Sequence, residues 1–198
     1  MRIKKMKLFR TVFISALLLA MFIIASAQVR SLPTDPSLKF QGLDGKVYDL
    51  TEQRGNVVLV SFGATWCAPC TTELRALGQI LTEYRDQPVK FFWVSIEPRA
   101  DVSNGQLKQY AKERQLPFPV LRDDAQMVFS QFSPRVRLPL IVMIGKDGKV
   151  AAPVKFGMQS QVDVYKADIR ARLNKLLALP SSVGRGTEGE GPKGALNR

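Results

Sequence analysis

The sequence predicts an α/β domain built on a mixed sheet with helices on both faces. Three observations carry this. The β-branched run Val57-Val58-Leu59-Val60-Ser61-Phe62 is followed by Leu74, Leu77, Leu81 and Tyr84 at helical spacing. A second apolar run, Phe91-Phe92-Trp93-Val94-Ser95-Ile96, is followed by Leu107, Tyr110 and Ala111. Two further apolar segments, Leu140–Ile144 and Val150–Phe156, flank Lys146-Asp147-Gly148-Lys149, a hairpin turn. Strand–helix–strand followed by hairpin and helix implies parallel and antiparallel pairings in one sheet.

The elements follow in order. Arg2, Lys4, Lys5, Lys7 and Arg10 precede an apolar run from Val12 to Ile24, and Ala25-Ser26-Ala27 follows it. Basic region, short apolar region and small-residue site describe a signal peptide over 1–27, cut before Gln28. The alternative is an uncleaved anchor holding the domain near a membrane, but the run is short of the roughly 20 residues that span a bilayer. Either way the domain is exported, to a periplasmic or other extracytoplasmic location. The whole chain of 198 residues is formally +12; the first 27 residues supply five of those charges and no acid, which leaves +7. Basic residues are scattered among acids with no stripe interleaved with aromatics, so nucleic acid is not indicated as a partner.

Residues 28–37, with Pro33 and Pro36, read as a leader. Leu38–Gln41 and Lys46–Leu50 alternate around Asp44-Gly45, an N-terminal β-hairpin. After the strand Val57–Phe62, a helix is expected from Ala68 to Tyr84, with Gly78 a weak point inside it. Ser103 or Asn104 caps the next helix. After Pro117, Phe118-Pro119-Val120-Leu121 is at most an edge strand, given these prolines. Asp123-Asp124 can cap a short helix carrying Val128, Phe129 and Phe132. In Val150–Phe156, Pro153 marks an edge or a bulge. Val162, Tyr165, Ile169, Leu173 and Leu176 place the last helix up to about Leu179, where Pro180 stops it. The domain is thus 38–179, and 180–198, rich in Gly and charge, is expected to be a disordered tail.

The chemistry lies at one junction. Cys67 and Cys70, the two cysteines of the chain, sit in Trp66-Cys67-Ala68-Pro69-Cys70 where the strand Val57–Phe62 turns into a helix. A thiol at a helix N-terminus meets free N–H groups and the positive end of the dipole, which stabilise a thiolate. Cys67 is expected to be the exposed nucleophile and Cys70, one turn inward, the resolving thiol. Pro69 suits a first turn, where its missing N–H costs nothing. A purely structural disulfide is the alternative, but so small a loop gives little chain-entropy stabilisation. Two cysteines without histidine leave the usual tetrahedral zinc set incomplete.

The signal-peptide pattern, the hairpin Leu38–Leu50, the run Gly55–Glu73 with its Phe62–Cys70 core, the added helix and strand between Val102 and Phe132, and Leu138-Pro139-Leu140 ahead of Asp147-Gly148 resemble the thioredoxin superfamily. Within it, the chain is similar to the exported TlpA/ResA-type reductases over about Leu38 to Leu179. The resemblance implies a thioredoxin-like fold, a Cys67/Cys70 dithiol that reduces protein disulfides, and no metal or organic cofactor. It implies a cis Pro139 packed opposite the disulfide, with Leu138, where Thr or Val is common, and Trp66 forming a docking surface. Ala68 and Pro69 would tune the potential. Glu73, three residues after Cys70, would take a proton from Cys70; otherwise it is an acid favoured by the helix dipole. Ser61 stands where thioredoxin itself has a buried Asp. Glu97, at a strand's C-terminal end, is expected to be a solvated loop acid. Implied partners are exported proteins bearing disulfides or thiols, in cytochrome c or oxidase assembly or general thiol maintenance, and a membrane thiol electron donor. Alternatives are a disulfide-forming oxidase, a Sco-like copper-binding assembly factor, which would need a histidine ligand, and a peroxidase, whose expected Thr or Ser is replaced by Ala64.

Overall fold

The computed structural model describes residues 37–180. The expected signal peptide, nearly all of the leader and the tail lie outside the described residues. Seven strands form one sheet: β1 (Lys39–Gly42), β2 (Val47–Asp49), β3 (Val57–Gly63), β4 (Val89–Ser95), β5 (Val120–Arg122), β6 (Leu140–Ile144) and β7 (Val150–Phe156). Their spatial order is β2-β1-β5-β4-β3-β6-β7. β3 and β4 are parallel, as are β4 and β5, while β1–β2, β1–β5, β3–β6 and β6–β7 are antiparallel. Three helices complete the fold: α1 (Ala68–Glu83), α2 (Asn104–Glu113) and α3 (Val162–Ala178).

β3 is buried along its whole length, as befits a central strand covered on both faces. The strand period of two sends Val57 and Leu59 to one face and Val58, Val60 and Phe62 to the other. On the first face they pack with Leu74, Leu77 and Ile80 of α1, Leu107 and Tyr110 of α2, and Tyr165, Ile169 and Leu173 of α3. Each fully buried side chain of this size stabilises by about 1.5–3 kcal/mol, which holds α1 and α3 against the sheet. The opposite face is covered more lightly, by Leu38, Leu50, Val128 and Phe129, the last opening a single 3-10 turn (Phe129–Gln131). Helical cover thus lies on both faces, but all three α-helices share one.

α2 starts on a capping box: Ser103 Oγ accepts the Gln106 N–H, and the Gln106 side chain accepts the Ser103 N–H at 2.9 Å. Asp123 accepts the N–H groups of Val128 and Phe129, so the acid ahead of the short helix does act on its start. β5 corrects an expectation. It lies inside the sheet between β1 and β4, not at its edge. The prolines precede the strand, so they remove no donor from it; the Pro119 carbonyl even accepts the Trp93 N–H. β7 is the edge beyond β6, and the register shifts between Ile141 and Met143, opposite Pro153. Gly148 in the β6–β7 turn has φ +80°, and a Cβ there would lie 2.4 Å from the Thr51 carbonyl oxygen, so both backbone and space require glycine.

Candidate active site

β3 delivers the chain to the site and α1 carries it away. Cys67 is the N-cap of α1, with extended backbone (φ −81°, ψ 98°). Its Sγ accepts the Cys70 N–H at 3.2 Å, one of the free amides of the first turn. Ala68 and Pro69 open the helix and are exposed. Cys67 and Cys70 are joined by a disulfide. Cys70 is 0% exposed and Cys67 only 5%. The expectation of an exposed Cys67 is therefore corrected: Ala64 and Leu138 pack around the pair, and Cys67 is reached through a groove.

That groove, about 540 Å³ in volume, is lined by Trp66, Cys67, Val136, Leu138 and Phe156 among others; Cys70 does not line it. The two sulfurs thus differ in access: the groove reaches Cys67 and not Cys70. Trp66 is 66% exposed on its rim. The Leu138–Pro139 bond is cis. Pro139 is buried, and its carbonyl accepts the Gly157 N–H at 2.8 Å, which fixes the segment at the head of β6 beside the disulfide. Trp66, Cys67 and Leu138 are therefore brought together in one groove, with Pro139 buried next to Leu138 in the chain.

Behind the disulfide lies a buried polar cluster. Ser61 continues the Val57–Leu59 row and so faces α1, where Glu73 sits one turn beyond Cys70 on the buried side. The Glu73 carboxylate accepts the Ser61 hydroxyl at 2.6 Å and the Tyr165 hydroxyl of α3 at 2.6 Å. Burial pushes the Glu73 carboxyl up from 4.5 to about 7, although both hydroxyl donors and the Lys155 charge pull the other way. Tyr165 is raised as well, by its own burial and by the Glu73 charge. Glu73 is fully enclosed, so a solvated acid answering to the helix dipole alone does not describe it. A carboxyl raised to about 7, one turn beyond Cys70, can take up or release a proton near neutral pH.

Glu97 also departs from expectation. It is 3% exposed, not a solvated loop acid. Its carboxylate accepts the Thr65 N–H at 2.8 Å, the Thr65 hydroxyl at 2.7 Å and the Ser95 hydroxyl at 3.0 Å. The end of β4 thereby clamps the loop that presents Trp66 and Cys67. Arg122 supports the clamp from β5 by donating to the Glu97 carbonyl at 2.8 Å. Gly63, the last residue of β3, leaves room for Trp93: a Cβ there would lie 2.6 Å from its Nε1 and 3.4 Å from the Cys70 Sγ. The Trp93 ring stacks on Tyr110 with centroids 5.2 Å apart.

The roles of Tyr165, Thr65 and Trp93 were not visible in the sequence. Tyr165 stood in an apolar helical stripe; the available signal was its hydroxyl, which needs a partner once buried. Among the described residues, no cluster of three or more Cys, Asp or Glu side chains is placed to hold a metal ion, and no helix is long and apolar enough to cross a membrane.

The model of the AhpC/TSA family matches residues 34–152, more than half of the chain. A thiol-disulfide oxidoreductase ResA from Bacillus thuringiensis is 28% identical over 120 residues, 61% of this chain and 66% of the relative. The ResA of Geobacillus thermodenitrificans is 30% identical over 118 residues, covering 59% of this chain and 64% of that protein. The chain thus spans just under two thirds of the length of these relatives. In fold, it is similar to the crystal structure of a thiol:disulfide interchange protein of the thioredoxin family from Chlorobium tepidum. The TM-score is 0.58 at 24% identity, covering 76% of this chain and 99% of that one.

Proposed function

This chain belongs to the AhpC/TSA family, and from that premise we propose that it is an exported thiol:disulfide oxidoreductase that reduces protein disulfides through Cys67 and Cys70. One observation carries the proposal: Cys67 caps a helix at the floor of an open groove, while Cys70 is sealed beneath it.

In the reduced protein, the helix N-terminus and the Cys70 amide stabilise a Cys67 thiolate. That thiolate attacks one sulfur of a partner's disulfide, forming a mixed disulfide and releasing the other sulfur as a thiolate. The Cys70 thiol then gives its proton to Glu73 and attacks the Cys67 Sγ. The Cys67–Cys70 bond forms, and the partner leaves with both sulfurs reduced. A thiol donor associated with the membrane returns two electrons to the pair. The partners are exported proteins whose thiols must be kept reduced, including those of cytochrome c or oxidase assembly. Export is supported by the basic, apolar and small-residue pattern of 1–27.

Cys70→Ser removes the resolving step. Expressed as the full chain, it should accumulate mixed disulfides between Cys67 and exported proteins, which reductant releases and Cys67→Ser abolishes. No trapped exported protein would overturn the proposal.

A further inference from the structure

Trp66 and Val136 form an apolar ridge beside the disulfide, 66% and 49% exposed. Both lie against the groove that reaches Cys67, so a chain presenting a sulfur to Cys67 meets them. Both residues line two grooves, one on each side of the ridge. The first is the groove of Cys67. Among its described lining residues, the one charged side chain is Arg137. The Arg137 guanidinium lies 4.4 Å from the centroid of the Phe156 ring. Stacking on a ring face leaves the in-plane N–H donors free, in a fixed fork that suits a carboxylate.

The second groove, about 500 Å³ in volume, is lined by Thr65, Glu97, Asp101 and Gln126 among others. Its two charged lining side chains are both acids. The Glu97 carboxylate is occupied by Thr65 and Ser95, whereas Asp101 is exposed. The sign of the charge therefore reverses across the ridge beside Cys67.

We infer that this surface selects an extended, cysteine-bearing peptide segment that carries an acidic residue on one side of its cysteine and a basic residue on the other. The inference rests on the reductase proposal above. An extended chain advances about 3.3 Å per residue, so residues flanking the cysteine reach past the ridge into both grooves. The acidic flank pairs with Arg137 and the basic flank with Asp101; the reversed order sets like charges against each other, which is penalised. The net positive charge, +12 for the whole chain and +7 without residues 1–27, favours acidic partners in general, but it does not distinguish charge order.

Two capped peptides, Glu-Ala-Cys-Ala-Lys and Lys-Ala-Cys-Ala-Glu, have the same composition and net charge, so long-range steering cancels between them. Each is activated as a mixed disulfide with thionitrobenzoate and presented to the pre-reduced full chain. The Cys67 thiolate bonds to the peptide sulfur, the peptide–thionitrobenzoate bond breaks, and the coloured thiolate leaves with the electron pair. Cys70, as its thiolate, then closes onto Cys67 and frees the peptide thiolate. One charge order should react about tenfold faster at low salt, with the gap closing as salt screens it. Arg137→Gln and Asp101→Asn should each narrow the gap several-fold. Arg85→Gln, an exposed arginine on the far side of α1's C-terminus from the cysteines, should leave it unchanged. Equal rates for the two orders, or a gap that both groove substitutions leave intact, would overturn the inference while leaving the reductase proposal standing. Failure of both peptides to react would count against that proposal itself.

Discussion

The Tyr165 hydroxyl donates to the Glu73 carboxylate at 2.6 Å across 92 residues of chain. The bond joins α3 to α1 one turn behind Cys70, so the last helix of the fold takes part in setting the proton affinity behind the disulfide. Replacing Tyr165 with Phe keeps the ring and removes one of the two donors that hold the carboxylate. The titration of Glu73 should move up from about 7, because the lost bond favoured the charged form. Stability at neutral pH should fall by about 1–3 kcal/mol, the cost of a buried acceptor left unmade. Carboxyl titration by NMR, together with denaturant unfolding of the oxidised protein, checks both.

Glu73 also makes stability depend on pH in a definite direction. Its carboxyl is raised from 4.5 to about 7, so between those values the folded state holds a proton that the unfolded state has lost. The favourable contribution is complete below the lower value and disappears as pH rises through the upper one. A shift of this size corresponds to about 3 kcal/mol. Relative to Glu73→Gln, the oxidised protein should lose roughly that amount between about pH 4.5 and 7, measured by urea unfolding across that range. Parallel curves for the two proteins would show that Glu73 does not titrate there.

Gly63→Ala tests the packing behind the disulfide. A Cβ at this position would stand 2.6 Å from Trp93 Nε1, and Trp93 is fully buried against Tyr110. The indole must move, at a cost of about 1–3 kcal/mol for an overpacked core. Calorimetry should give a lower Tm, and near-UV circular dichroism should report the displaced tryptophan.

Glu97→Ala removes the acceptor for both Thr65 donors. The loop carrying Trp66 should open locally, with a loss of about 1–3 kcal/mol. Amide exchange at Thr65 should quicken more than exchange in the middle of β3, which the clamp does not hold.

What the sequence made legible follows from the range of each interaction. α1, α2 and α3 were visible because a helix writes its buried stripe into neighbouring residues, and Ser103 announces its own cap. The placement of β5 was not, because Pro117 and Pro119 signal an edge locally, while its pairing with Gln41 and with Trp93–Ser95 is set by topology. Cys67, Cys70 and Glu73 follow one another at three-residue steps and can be grouped by spacing. The donors that control Glu73 come from β3 and α3, and no local pattern links them to it. Glu97 was misplaced for the same reason: an acid after a strand is usually solvated, and only the folded loop shows Thr65 and Ser95 turned toward it.

A dithiol that gives electrons to partner disulfides must have a low reduction potential, so the potential of the Cys67/Cys70 couple is the decisive measurement. Equilibrated against glutathione or dithiothreitol, the couple should lie in the reducing range, about −200 to −270 mV. A potential near the strongly oxidising extreme, about −120 mV, would instead make the protein a donor of disulfides and rule out the reductase role.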